Sequence, residues 1–95
     1  MRKPTIHLNG SDAHALIVGY MTAANAVYAA IGALQATHPH GRDYYTQVYG
    51  PDSQNPTYEA IDEYRERLAK LQAVLDDLME LWEHCQLEMD KRAKR

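Results

Sequence analysis

The chain has 95 residues, a formal net charge of −3 and a 45% hydrophobic composition, which allows one domain with a modest core. A single cysteine, Cys85, excludes an intrachain disulfide and argues against a secreted disulfide scaffold. The charge is too small to make a polyanion the main partner. The basic tail Lys91-Arg92-Ala93-Lys94-Arg95 follows an acidic run (Asp76, Asp77, Glu80, Glu83, Glu88), so it suits a helix C-terminus better than a long nucleic acid.

The first ten residues are polar and broken by Pro4 and Gly10, without a secretory pattern, so a cytoplasmic location is expected. Thr5 to Leu8 reads as a short extended piece that ends at the turn dipeptide Asn9-Gly10. Asn9 or Ser11 can cap a following helix, with Asp12 favourable in its first turn. The spacing predicts helix one over 12–37. Leu16, Tyr20, Ala23, Val27, Ile31 and Leu34 form one stripe, and Ile17, Met21, Ala24 and Tyr28 a second. A helix apolar around most of its circumference must be covered on more than one side. No Asp, Glu, Lys or Arg occurs from Ala13 to Gly41, and Ala15–Leu34 is long enough to cross a bilayer. Alanine dominates that run, His14, Thr22 and Asn25 interrupt it, and neither flank is strongly basic, so a membrane span is not the expected reading.

A linker follows over 38–55. Two antiparallel helices need about two to eight residues to connect them, and longer loops in compact domains are usually functional or disordered. Three tyrosines, Tyr44, Tyr45 and Tyr49, argue against disorder. Tyr44 to Tyr49 is β-prone, and with Thr5–Leu8 it is a candidate for a short β-ribbon that folds the linker over the start of helix one.

Helix two is predicted over 56–92, with Asn55 as cap and Pro56 at the first helical position. Ile61, Tyr64, Leu68, Leu71, Leu75, Leu78, Trp82, Cys85 and Met89 alternate three and four apart, a coiled-coil-like seam. The opposite face is charged. One narrow seam cannot cover both stripes of helix one. The expected architecture is therefore all-α: a long antiparallel helical hairpin that assembles into a homo-oligomeric bundle, a dimer or higher.

Chemistry concentrates in the linker. Arg42 offers a planar donor fork for phosphate or carboxylate. Tyr44, Tyr45 and Tyr49 offer rings that can stack on a base. The Asn9-Gly10-Ser11 turn before a helix offers backbone donors to an anion, with His7 beside it. Together these residues are the candidate binding site for a small anionic ligand such as a cyclic nucleotide. The bland alternative is an Arg42–Asp43 ion pair that holds the loop while the tyrosines cover the bundle end. His38 and His40 could bind zinc with His7, but no cysteine or carboxylate pattern accompanies them, so no metal or cofactor is expected. Cys85 reads as a small core residue. No nucleophile, base and orienting group occur together, and catalysis is not expected.

The motifs Ile6-His7-Leu8-Asn9-Gly10-Ser11, Gly41-Arg42-Asp43-Tyr44-Tyr45 and Gly50-Pro51-Asp52, with a charged helix ending in a leucine-rich seam, resemble a group of small phage and prophage helical-hairpin proteins. The resemblance covers most of the chain and implies origin more than activity. Here Thr46-Gln47-Val48-Tyr49 are additional linker residues. By analogy of size and build alone, the chain is comparable to phage sponges that sequester cyclic-nucleotide immune signals without chemistry. The alternative is a protein-interaction module that inhibits or scaffolds a host or virion protein.

Overall fold

The computed structural model describes residues 1–6, 10–51 and 55–93, with backbone alone for 10–12 and 93. It is all-helical: α1 (Gly10–Gln35), a short 3-10 turn (Gly41–Asp43) and α2 (Pro56–Ala93). The helices run antiparallel, so the start of α1 packs on the end of α2. Ile6, Ala13 and Cys85 form the buried cluster there, flanked by Leu16, Ile17, Tyr20 and Met89. Farther along, Ala24, Ile31 and Tyr64 are buried. The predicted seam of α2 faces α1, because a three-four repeat lies on one side of a helix. The first α1 stripe faces α2; from the second, Ala24 is buried, but Tyr28 is 71% exposed.

The start of α2 depends on local chemistry. Asn55 caps α2: its Oδ1 accepts from the Thr57 amide at 2.9 Å. Its carbonyl accepts from the Glu59 amide at 3.1 Å. Gly10 and Ser11 lie within the first turn of α1, so Ser11 is not the residue before the helix; Asn9, the other expected cap, lies outside the described residues. α1 ends two residues before the predicted Thr37. Ala36, Thr37 and His38 donate to the carbonyls three residues back, and Thr37 Oγ1 donates to the Leu34 carbonyl at 2.7 Å. Pro39 explains the stop, since a residue before proline is driven out of the α region.

The expected ribbon is not formed by the described residues, among which there is no strand. Tyr44 to Tyr49 is turn and coil, tied by bonds from the Tyr44 amide to the Gly41 carbonyl and from the Gln47 amide to the Tyr44 carbonyl, both 3.0 Å. His7 and Leu8, in the other half, lie outside the described residues. The linker also does not fold over the start of α1. It runs along the first turns of α2, with the His38 ring edge-on to Tyr64 at 4.9 Å. α2 has 38 residues and α1 26, a difference of about 18 Å at 1.5 Å per residue. The linker covers this overhang, which explains much of its length.

Residues 3–6 dock at the opposite end. Lys3 Nζ lies 3.3 Å from Glu80, His84 Nε2 donates to the Pro4 carbonyl at 2.8 Å, and Ile6 is buried against Ala13 and Cys85. The molecule measures 68 × 23 × 16 Å. Within it, Ala13–Gln35 is the one described helix long and apolar enough to cross a membrane by length and composition.

Candidate functional site

Arg42 sits in the 3-10 turn and its side chain is exposed. Among the described residues it joins no ion pair and no hydrogen bond. The alternative that ties it to Asp43 therefore has no contact behind it. Adjacent residues on a tight turn diverge, and a surface pair would in any case be worth about 1 kcal/mol or less.

The three tyrosines differ. Tyr44 is half-buried against the start of α2. Tyr45 is 80% exposed and Tyr49 51% exposed. The Tyr49 hydroxyl accepts from Asn55 Nδ2 at 3.2 Å, which ties its ring to the helix cap. Val48, between them, is 97% exposed. Arg42 and these rings share a loop, and neither Arg42, Tyr45 nor Tyr49 lines the concavity beside Tyr44. That concavity, about 260 Å³, is lined by Gln47, Pro56, Glu59, Ala60 and Glu63. Its carboxylates, Glu59 and Glu63, would repel a phosphate.

The second half of the expected site is elsewhere. Gly10 and Ser11 open α1 and the linker follows its end, so the 26 residues of that helix hold them about 39 Å apart. His7 and Asn9 lie outside the described residues. Within one chain, Arg42 and the Gly10-Ser11 start of α1 cannot grip the same small ligand.

His38 and His40 have ring centroids 6.1 Å apart, and His38 Nδ1 donates to the Pro39 carbonyl at 3.0 Å. Among the described residues there is no group of three potential metal-ligating side chains. Cys85 is fully buried, and burial pushes its thiol above the ordinary value of 9.0. A neutral, enclosed thiol is a poor nucleophile.

Two other concavities escaped the sequence reading. One, about 330 Å³, lies between the helices and is lined by Tyr28, Ile31, Gly32, Gln35, Gln72 and Leu75. The other, about 290 Å³, lies under the docked N-terminal segment, with Lys3, His84, Glu88 and Arg92 around it. Gln35 and Gln72 are far apart in the chain, and only the pairing of the helices joins them. No protein-family model, curated protein or solved structure matches the chain significantly.

Proposed function

We propose that this chain is a non-catalytic, homo-oligomeric binding protein that captures a small phosphate-bearing ligand on its linker. In the setting implied by its resemblance to phage proteins, that ligand is a cyclic-nucleotide-like immune signal and capture is counter-defence in the host cytoplasm. The observation that carries the reading is the exposed Arg42, without a partner among the described residues, on the same loop as the exposed Tyr45 and Tyr49. An exposed donor fork is suited to a bidentate anion, and exposed aromatic rings on the same loop are suited to a base. A sponge needs affinity alone and no chemistry.

The test is thermal shift and calorimetry with cyclic and linear nucleotides on the wild type and on Arg42→Ala. At least one nucleotide should raise the melting temperature, and Arg42→Ala should remove the rise without changing the melting temperature of the free protein. No response across the panel would sink the reading.

The uncharged, exposed side of α1 favours a second reading, a protein-interaction module. A host or virion protein recovered in stoichiometric amount, with binding indifferent to nucleotides and to Arg42→Ala, would select it.

A further inference from the structure

A folded monomer of 10.8 kDa is expected to expose about 5,500 Å². This hairpin exposes 7170 Å², an excess of about 1,600 Å². Its radius of gyration is 20.5 Å, against about 12 Å for a compact domain of this length. A standard interface takes about 800 Å² from each partner. The single chain is therefore short of burial by about twice what one such interface supplies.

The shortage has a location. Ala15, Val18, Gly19, Thr22, Ala26 and Ala29 are exposed, and their spacing places them on the side of α1 away from α2. The Thr22 hydroxyl donates to the Val18 carbonyl at 2.8 Å, which satisfies it within its own helix. A Cβ added at Gly19 would meet nothing within 4 Å. Nothing inside one chain thus requires the glycine, although glycine weakens a helix interior relative to alanine. A second backbone passing close by would require it.

We infer that the outer face of α1 is the docking surface for the same face of a second copy of this chain, packed about a two-fold axis. The inference rests on the homo-oligomeric part of the reading above and assigns its contact surface. A self-complementary contact needs a face that tolerates itself. Small, uncharged side chains meet that need, whereas the Glu63, Glu66, Arg67 and Lys70 face of α2 does not. Lipid is the rival occupant. The packing of α2 along α1 argues against it, because α2 would carry its charges into the bilayer, at about 2.5–3.5 kcal/mol each by insertion scales.

Sedimentation and native mass spectrometry of the full chain at micromolar concentration, with and without Ala26→Glu, test the inference. The wild type is expected at twice the chain mass or an even multiple. Ala26→Glu should lower that mass, although Ala26 is exposed in the single chain and glutamate is a good helix former. If the variant loses helicity as it dissociates, that also supports the inference, because a solvent-facing glutamate would be harmless. Thr22→Cys and Ala26→Cys should cross-link between chains with a bis-maleimide reagent, and Glu66→Cys should not. A monomeric wild type, an unchanged mass for Ala26→Glu, or insertion of the chain into phosphatidylcholine vesicles would overturn it. Arg42→Ala should keep the oligomer mass, so a failed ligand test and a failed interface test are read separately.

Discussion

At the scale of single residues, Cys85 links packing to chemistry. It is enclosed by Ile6 and Ala13, with Met89 packed nearby, and burial disfavours its thiolate. The folded-state pKa lies above the unfolded value, so the neutral thiol's contribution to stability is complete below pH 9.0. It is lost as the pH rises through the folded value. The folded protein should therefore resist a thiol reagent at neutral pH and react at full rate after denaturation. Fast labelling of the native protein would show that the cluster opens. The same scale explains the fate of Arg42. Its residue type was legible as a donor fork, and it is exposed as a ligand would need. Its partners were not legible, because which side chains converge on a loop depends on how the loop lies on the bundle.

The two helices differ in how fully their sequences specify them. α2 carries a polar cap at Asn55, a proline at its first position and one unbroken three-four seam, and its observed bounds depart from the predicted 56–92 by a single residue. α1 has weaker end signals, and its predicted bounds were two residues off at each end, where serine and threonine side chains can bond nearby backbone instead of a helix and glycine carries the largest entropy cost. The exposed glycine of α1 supplies a sign test. In a chain that works alone, Gly19→Ala should stabilise by about 0.5–1 kcal/mol, since alanine restricts the unfolded chain and its Cβ has open space. If a second backbone lies against Gly19, the same change should weaken assembly. Urea unfolding of Gly19→Ala should then show a gain only in the Ala26→Glu background and a loss in the assembling wild type.

At the scale of the whole molecule, a 68 Å rod only 16 Å thick has few residues enclosed on all sides. The described buried core consists of Ile6, Ala13, Ala24, Ile31, Tyr64 and Cys85. With so small a described core, the proposed association would contribute to stability, and association is a mass-action quantity. Calorimetric melting should rise by about 3–5 °C for each tenfold increase in protein concentration if folding and dimerisation are coupled. A melting temperature independent of concentration would mark a chain that folds alone.

Periodicity and capping were enough to establish two long helices, the side of α2 that meets α1, and the antiparallel sense that the linker allows. These are local properties, set by spacing of apolar residues and by side chains that bond their own backbone. Three features needed the tertiary arrangement. The linker lies along the α2 overhang instead of forming a ribbon, because His38 finds Tyr64 and the loop's amides find their own carbonyls. Residues 3–6 dock on α2 through Glu80, His84 and the Cys85 pocket, contacts between positions roughly eighty apart in sequence. The turn at Gly10 and the linker at Arg42 are separated by the length of α1, so two motifs that read as one site are placed at opposite ends of a rod.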